Sequence, residues 1–473
     1  MTFKTAQRYR RQQKLLPLYL IGVLMATCLG CAFTGYWLYN LPFVNERLYW
    51  RVEIARSAWR DWTDPRPADL LPTVAPTPFE VRASRPTAAP TVQLQFELRQ
   101  TPTATVWFTP TLRPFATATP SPTVLVSPTP IPAAYQIVGV PHEYQRWNNC
   151  GPSTLAMVLG FWAWSGDQTT TAAVLKPNKN DRNVRPDELA AFAIGTGFLQ
   201  ADVRVGGTLD LLKLLLSNEY PVIIEKGFFV SEEKGWMGHY VPLIGFDDSA
   251  GYLIGQDSYE GPEHHYPYAD FDSDWQAFNR LFIVIYPQNQ AAQIQALLGV
   301  YQSTQGSYEI ALETARRETR LQRDNPFAWH NLGMTYNYMG DFERASAAFD
   351  QARNLGLPWR MLWYQFGLYR AYYEQERYQE LLDIASVTLR DAGGQLEESY
   401  FWQGSAQLAL GNVTAARDSL RQAVDFNPNF SDAQTVINQV EYSLQPTATF
   451  TPEPTYAFPS FPTITPFSAT STP

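Results

Sequence analysis

The stretch QRWNNCGPSTLAMVLGFW, residues 145–162, decides the fold of the middle of the chain. After Pro152, apolar residues recur at the spacing of one helix face, at Leu155, Val158, Leu159 and Trp162. Proline is favoured in the first turn of a helix, because the N–H that it lacks has no partner there in any case. The pattern therefore predicts a helix that begins near Pro152, buries one apolar stripe and carries Cys150 at its amino-terminal end.

Cys150 lies where a thiol is expected to be reactive. The helix dipole and the free N–H groups at a helix N-terminus favour an anion, which lowers the pKa of a thiol and enriches the thiolate. Gly151 leaves room for a substrate carbonyl to approach. The other cysteines, Cys28 and Cys31, lie in the hydrophobic N-terminal segment, so Cys150 has no disulfide partner in the soluble part. Cys150 is thus a candidate reactive thiol, and a buried structural cysteine is the alternative.

A thiolate nucleophile needs a base and a group that holds the base. Of the five histidines, His239 heads an apolar run of strand length, 239–246, and a turn at 247–251 leads to a returning strand at 252–257. If this hairpin is centred on Asp248, His239 and Asp257 lie opposite each other, about 5 Å apart on one face. A bulge would shift this register by one residue. The pattern predicts that Asp257 orients the His239 ring, and a core histidine with a turn aspartate is the alternative.

The segment resembles the papain-like C-39 peptidases, which are known for cutting bacteriocin leader peptides after Gly-Gly. It is most similar to the stand-alone C-39-like domains of bacterial surface proteins. The resemblance covers about residues 136–287 and rests on motifs in the family's chain order, namely Gln145, Asn149-Cys150-Gly151-Pro152, Gly238-His239-Tyr240-Val241 and Asp257. Nothing in the chain resembles the ABC transporter that supplies leader peptides, so Gly-Gly specificity is not implied.

The resemblance also implies catalytic roles. Cys150 corresponds to the nucleophile and His239 to the base. Asp257 corresponds to the residue that orients the base, and Gln145 to an oxyanion-hole donor, with an ordinary surface amide as the alternative for Gln145. One departure from the family is Ser258, where members often have proline after the aspartate.

A second pattern follows the first domain. The spacing of the 34-residue tetratricopeptide repeat is met by Trp329, Leu332, Gly333, Tyr336, Ala345, Phe349, Ala352 and Pro358. Matching intervals recur at Gly404, Ala416, Leu420, Ala423 and Pro428. Residues 358–393 form a degenerate unit between the two copies, and residues 308–324 resemble the last helix of another. Each unit buries its face only against a neighbour, so an all-α solenoid is expected. The resemblance implies a concave groove for a peptide or partner protein, and a spacer without a ligand is the alternative.

The N-terminal segment predicts a membrane anchor. No charged residue occurs between Lys14 and Glu46, and the apolar run exceeds the ~20 residues that span a bilayer. Basic residues before the run favour a cytoplasmic N-terminus. A cleaved signal or a lipoprotein site at Leu29-Gly30-Cys31 is the alternative. Proline and threonine crowd two further stretches, which are expected to be disordered.

The expected fold class is an α+β papain-like cysteine peptidase domain followed by an all-α TPR solenoid, with an N-terminal transmembrane helix and disordered Pro/Thr-rich linkers. The predicted segments are a cytoplasmic tail (1–14), a transmembrane helix (15–40), a juxtamembrane helix (41–63), a linker (64–133), the peptidase domain (134–288), the repeat domain (289–444) and a Pro/Thr-rich tail (445–473).

Composition and motifs exclude other functions. The formal charge is −9, and no basic patch suited to nucleic acid is present. His264-His265 has no convergent ligands, and Asp270-x-Asp272-x-Asp274 lacks the glycine and glutamate of a calcium loop, so no metal or cofactor is expected.

The leading hypothesis is a single-pass membrane protein whose extracytoplasmic domains cleave peptide bonds through a Cys-His-Asp triad. The repeats would bind the peptide or protein substrate or a partner protein. One alternative is a catalytically silent C-39-like/TPR scaffold of the cell envelope. The other is a thiol acyltransferase, either a transpeptidase or an amidase.

Overall fold

The computed structural model describes residues 130–229 and 235–444, and in the N-terminal segment only Thr27, Gly30, Cys31, Phe33 and Thr34. Among these described residues, no helix is both long and apolar enough to cross a membrane. The predicted segments 1–14, 41–63 and 445–473 lie outside the described residues, as do the span at 15–40 except for those five positions and the linker before residue 130.

The first folded region is built on a sheet. Its strands are β1 (Ala134–Gln136), β2 (Leu199–Arg204), β3 (Val222–Phe229), β4 (Trp236–Asp247), β5 (Tyr252–Asp257), β6 (Gly261–Pro267) and β7 (Phe282–Pro287). They pair antiparallel in the order β2-β7-β3-β4-β5-β6, and β1 pairs with β4. Adjacent residues of a strand point to opposite faces. Ile223 therefore joins the apolar core on one side of the sheet, while Val222 and Ile224 join the core on the other.

Helices cover both faces of this sheet. One side carries α1 (Cys150–Phe161), α2 (Gln168–Leu175) and α3 (Pro186–Gly195), and the other carries α4 (Leu209–Leu216), α5 (Tyr268–Gln276) and α6 (Ala291–Leu298). The predicted helix after Cys150 is confirmed, and Leu155, Val158 and Leu159 are fully buried. The helix is more deeply embedded than a single stripe requires, because residues 151–159 are all buried. Its N-terminus is thus held firmly against the sheet.

The predicted hairpin between β4 and β5 is present, but its predicted register is wrong. Asp247 pairs with Tyr252 and Phe246 with Leu253, so the turn is centred beyond Asp248. The pairing is also irregular between Leu243 and Gly245. His239 pairs instead with a residue of β3. The turn spans residues 248–251, close to the prediction, but its centre lies between residues 249 and 250 rather than at Asp248, and this displacement moves the cross-strand partners.

The second folded region is a stack of helices. After a 3₁₀ turn at Gly299–Gln302 come α7 (Thr304–Leu321), α8 (Pro326–Tyr338), α9 (Phe342–Asn354), a 3₁₀ segment (Trp359–Trp363), α10 (Gly367–Glu374), α11 (Tyr378–Asp391), α12 (Glu397–Ala409), α13 (Val413–Phe426) and α14 (Ser431–Leu444). Helices α8 and α9 pair closely, as do α12 and α13. A Cβ added to Gly333 would lie 2.7 Å from the Phe349 ring, and one on Gly404 would lie 2.7 Å from Leu420. The repeat glycines therefore allow the paired helices to touch.

The two regions share one interface. A single apolar core runs from Leu155 in α1 to Met334 in α8 and Phe401 in α12. The first helices of the repeat pairs face the sheet domain: Asn331 donates to the Gln276 carbonyl at 2.6 Å. Because this apolar contact is continuous, the repeat region is packed onto the sheet region rather than strung out behind it.

Candidate active site

Cys150 is the first residue of α1, as predicted. It is half-buried, and no side-chain cap occupies the helix end, since Asn149 makes no capping hydrogen bond. The Thr154 hydroxyl donates to the Tyr240 carbonyl at 3.0 Å, which ties the first turn of α1 to β4 beside His239. Backbone N–H groups in the first turn of a helix have no intrahelical partner. The thiol therefore sits at an end of the helix that favours an anion.

His239 and Asp257 are in direct contact, despite the wrong register. His239 Nε2 lies 2.9 Å from Asp257 Oδ1, and both residues are buried. The carboxylate is fixed on several sides. Its Oδ1 accepts from the backbone N–H of Tyr259 at 2.6 Å and of Glu260 at 3.0 Å, and its Oδ2 accepts from the Tyr266 hydroxyl. These donors hold the Asp257 carboxylate in one orientation toward the imidazole of His239.

These contacts determine which groups of the site are charged. Burial alone would raise the pKa of Asp257, but the His239 charge and the hydrogen bonds from His239, Tyr266 and Glu260 hold that pKa well below its usual range. Burial alone would lower the pKa of His239, but the charge and hydrogen bond of Asp257, with the Cys150 thiol, raise it to about 9. Near neutral pH the ring is therefore protonated and the carboxylate ionised.

The same ring acts on Cys150. Burial alone would raise the pKa of the Cys150 thiol, but the hydrogen bond to His239 and the charge of its ring outweigh that effect and lower the pKa. Because Nε2 of His239 faces Asp257, Nδ1 is the ring nitrogen left for the sulfur. Cys150, His239 and Asp257 thus form one hydrogen-bonded line, in which the imidazolium of His239 favours the thiolate form of Cys150.

Gln145 lies beside the residue that follows Asp257. The backbone N–H of Gln145 donates to the Ser258 carbonyl at 2.9 Å, and the Ser258 hydroxyl donates to Gln145 Oε1 at 2.9 Å. Oε1 is thus engaged as an acceptor, and the NH₂ group is the donor end of the Gln145 amide. The departure from the family at Ser258 therefore has a structural use, because proline has no hydroxyl to hold the amide.

Several contacts of the site were not predicted. Rings of Phe228 and Tyr259 stand 5.2 Å and 6.4 Å from the His239 ring. His142 Nε2 lies 2.8 Å from the Asp257 carbonyl oxygen, and Lys176 donates to the Asn148 carbonyl. These residues come from separate elements and carry no shared motif, so only the tertiary structure brings them together.

The motifs rejected as metal sites have other contacts. Asp272 pairs with Arg280 at 2.7 Å and Asp274 with Lys226 at 2.9 Å, and the His265 ring stacks on Tyr252 with centroids 3.9 Å apart. Within the part of the chain that the structure describes, no group of three or more His, Cys, Asp or Glu side chains is arranged to hold a metal ion.

Comparison with known proteins assigns both regions. Residues 137–283 match the model of the Peptidase_C39 like family, and residues 328–353 and 397–430 match the tetratricopeptide repeat. The chain therefore combines a C39-peptidase-like domain with tetratricopeptide repeats. No curated protein matches the chain.

Similar solved structures cover one region each. A putative C39-like peptidase from Bacillus anthracis is 16% identical and covers 32% of this chain and 97% of its own, with a TM-score of 0.27. MamA (41-end) from Desulfovibrio magneticus RS-1 is 17% identical and covers 33% and 84%, with a TM-score of 0.27. The first TPR domain of human RPAP3 is 14% identical and covers 25% and 91%, with a TM-score of 0.23.

Proposed function

We propose that the chain is a cysteine peptidase in which Cys150 is the nucleophile, His239 the general base and acid, and Asp257 the residue that positions His239. The observation that carries the proposal is the unbroken line from the Cys150 thiol through the His239 ring to Asp257. A structural cysteine has no need of a lowered thiol pKa, a buried imidazole and a carboxylate fixed by four donors. Papain-like chemistry needs all three.

The reaction that fits this line is acyl transfer. The Cys150 thiolate attacks the carbonyl carbon of the substrate amide, and the carbonyl π electrons move to oxygen. The NH₂ group of Gln145 and the backbone N–H of Cys150 stabilise that oxyanion. When the C–N bond breaks, the His239 imidazolium gives its proton to the leaving amine. Neutral His239 then takes a proton from water, and the resulting hydroxide attacks the thioester carbonyl carbon. The C–S bond breaks, the carboxylic acid leaves, and the Cys150 thiolate and the His239 imidazolium are restored.

The proposed cellular setting rests on the sequence outside the described residues. The uncharged run between Lys14 and Glu46 and the basic residues before it favour a single span with a cytoplasmic N-terminus. The Pro/Thr-rich linker would then hold the two domains away from the extracytoplasmic face of the membrane that the helix spans. Membrane fractionation with externally added protease tests this topology. Digestion of the repeat domain only after lysis would contradict it.

The repeats are proposed to bind a substrate or partner protein. The first repeat helices already contact the C39-like domain through Asn331 and Thr335. A second protein therefore has either to use the remaining repeat surface or to displace this contact.

The decisive experiment measures the reactivity of Cys150. Iodoacetamide alkylation of the full chain is followed by mass spectrometry of the peptide that contains Cys150, so that Cys28 and Cys31 do not interfere. We expect rapid labelling near pH 7 in wild type, and slow labelling in His239→Ala that speeds up only near the ordinary thiol pKa. His330→Ala, in the repeat region, controls for loss of any histidine. Equal labelling of wild type and His239→Ala contradicts the proposal.

Peptide cleavage then separates the remaining functions. Wild type and Cys150→Ala are incubated with a peptide library, with and without an added amine. Hydrolysis products that require Cys150 support a peptidase, and products joined to the added amine indicate an acyltransferase. Labelling of Cys150 without any processed peptide, together with partner capture unaffected by Cys150→Ser, indicates a silent scaffold.

A further inference from the structure

A cavity lies between the Cys150 end of α1 and the repeat region. Its walls come from α1, β3, β4 and the repeats, and include Cys150, Arg182, Glu225, Gly238, Tyr240 and Tyr364. Its empty volume is about 270 Å³, part of which opens to solvent. Only a small part of this space has room for a water-sized group, so the cavity is of a size to take the end of one small side chain of a larger substrate.

Tyr364 forms the repeat-domain wall of the cavity. A Cβ on Gly238 would lie 3.1 Å from the Tyr364 ring, and the backbone of Gly238 hydrogen bonds to the Tyr364 hydroxyl. The ring also packs against Phe278 and Trp236, with centroids 5.8 Å and 6.2 Å away. Tyr364 is buried and contacts the residue directly before His239. It is thus a fixed wall that limits the depth of the cavity.

Glu225 forms the opposite wall and has an unused oxygen. It is 1% exposed, and its Oε2 has no hydrogen-bond partner among the described residues. The Tyr240 hydroxyl, its cross-strand neighbour, contacts the other carboxyl oxygen and gives its own proton to the Val184 carbonyl at 3.0 Å. Oε2 is therefore left as a buried acceptor on a residue that lines the cavity. Such an acceptor is costly unless a donor reaches it.

The charge around the cavity disfavours ionic side chains. The Arg182 guanidinium lines it and lies 5.3 Å from the Trp363 ring centroid, so a cation would meet a like charge. Arg182 would attract an anion, but an anion has no proton to donate and would leave the buried oxygen of Glu225 without a donor. A neutral group that donates a hydrogen bond meets neither penalty.

We propose that this cavity binds a substrate side chain on the acyl side of the scissile bond, and that Tyr364 and Glu225 select a small, uncharged side chain that donates a hydrogen bond, such as serine, threonine or asparagine. The proposal rests on the peptidase function proposed above. It makes the repeat region part of the active site, since Tyr364 sets the size limit and the C39-like domain supplies the polar contact.

The test uses the full chain and three series of peptidyl chloromethyl ketones. Each series carries one residue, either alanine, serine or leucine. In one member that residue lies directly before the reactive group, and in the other it lies one position further back. The probes are otherwise identical. Cys150 alkylation is followed by mass spectrometry, and each rate is divided by the rate with iodoacetamide. The serine-to-alanine ratio reports the hydrogen bond, and the leucine-to-alanine ratio reports size.

At one of the two positions, wild type is expected to react about tenfold faster with serine than with alanine, and about tenfold slower with leucine. Tyr364→Ala and Tyr364→Leu should each raise the leucine-to-alanine ratio about tenfold, whereas Tyr364→Phe retains the size limit. Glu225→Leu should bring the serine-to-alanine ratio close to one. Tyr442→Ala, on the exposed side of α14, is the control and keeps the wild-type ratios.

Two kinds of failure are distinguishable. Equal rates with alanine, serine and leucine at both positions in wild type, or unchanged ratios in the folded Tyr364 variants, overturn the cavity assignment while iodoacetamide labelling stays fast. Slow iodoacetamide labelling in wild type removes the peptidase function itself. If Tyr364→Ala unfolds on circular dichroism, Tyr364→Leu and the wild-type ratios still decide the question.

Discussion

Two buried carboxyl groups, those of Asp257 and Glu225, lie near Cys150 and His239, and their pKa values are shifted in opposite directions. Each is 1% exposed, so burial penalises ionisation of both. Asp257 is surrounded by His239, the Tyr266 hydroxyl and two backbone N–H groups, and its pKa lies well below its usual range. Glu225 has one neighbouring hydroxyl and an unpaired oxygen, and burial raises its pKa well above its usual range.

The difference shows that partners, rather than depth, decide which acid is charged. Each donor aimed at a carboxylate offsets part of the cost of desolvation. With four donors Asp257 remains an anion and holds His239 as a cation. Without them Glu225 stays neutral and keeps an acceptor oxygen for a ligand. Opposite states of two acids in one site are a common feature of active sites.

The largest effect is expected when Asp257 loses its charge. Asp257→Asn removes the anion that raises the His239 pKa, so that pKa should fall from about 9 towards its ordinary value of 6.5, and less thiolate forms at pH 7. We expect peptide hydrolysis to fall about 10³–10⁴-fold, as in other enzymes that lose the acid behind a catalytic histidine. The measurement is kcat/KM together with the pH profile of Cys150 alkylation.

The same exchange at exposed Asp270, in α5, is the control for Asp257→Asn and should leave kcat/KM unchanged. A Cys150 alkylation profile that does not move in Asp257→Asn contradicts the role given to Asp257. A profile that moves without loss of hydrolysis would instead place the rate-limiting step after the chemistry.

The sequence predicted the line of Cys150, His239 and Asp257 because its parts are local patterns. Helical spacing after Pro152 set the place of Cys150, and an apolar run with a turn set His239 and its strand. The partnership with Asp257 was correct although the register behind it was wrong. The strands pair three positions away from the predicted register near the turn, with Asp247 opposite Tyr252, and β5 is irregular before Asp257, which leaves its side chain within reach of His239.

Glu225 and Tyr364 had no comparable signal. Glu225 sits inside a buried strand with no flanking motif. Tyr364 lies in the degenerate unit predicted at 358–393, where it follows the buried residues Trp359 and Trp363. The place of Tyr364 beside Gly238 depends on how two domains dock, and hydrophobic periodicity within one domain carries no information on that.

A smaller effect is expected when Gln145, the proposed oxyanion donor, or its neighbour Ser258 is changed. Gln145→Ala should lower kcat about 10²–10³-fold, because it removes one donor to the oxyanion. Ser258→Ala leaves the amide in place but frees it to rotate, and should cost about tenfold, a fraction of that loss. Both variants should keep wild-type iodoacetamide labelling, since alkylation forms no oxyanion. Ser258→Thr keeps a hydroxyl and should recover much of the rate. If Ser258→Ala does not change kcat, Ser258 has no role in positioning Gln145.

The smallest effect is expected on stability, and it tests whether Asp257 is ionised and Glu225 is neutral in the folded chain. In a Cys150→Ser background, where no thiol titrates at the site, Asp257→Asn and Glu225→Gln are melted between pH 4 and pH 9. Asp257 has a lowered pKa, so its stabilisation is present above its ordinary value of 3.8. The His239 pKa is raised, so its stabilisation is complete below 6.5 and declines above it. The deficit of Asp257→Asn should therefore be largest between these two values and shrink towards pH 9.

Glu225 has the opposite sign. Its raised pKa means that the folded chain holds a proton that the unfolded chain releases above 4.5, so the folded state loses stability relative to the unfolded state as the pH rises. Glutamine does not titrate, and Glu225→Gln should gain on its parent steadily from pH 5 to pH 8. Each kcal/mol of difference corresponds to about 2–4 °C in Tm for a domain of this size. If both variants instead show a deficit that is greatest near pH 5–6, Glu225 is ionised in the folded chain, and the contrast between the two acids does not hold.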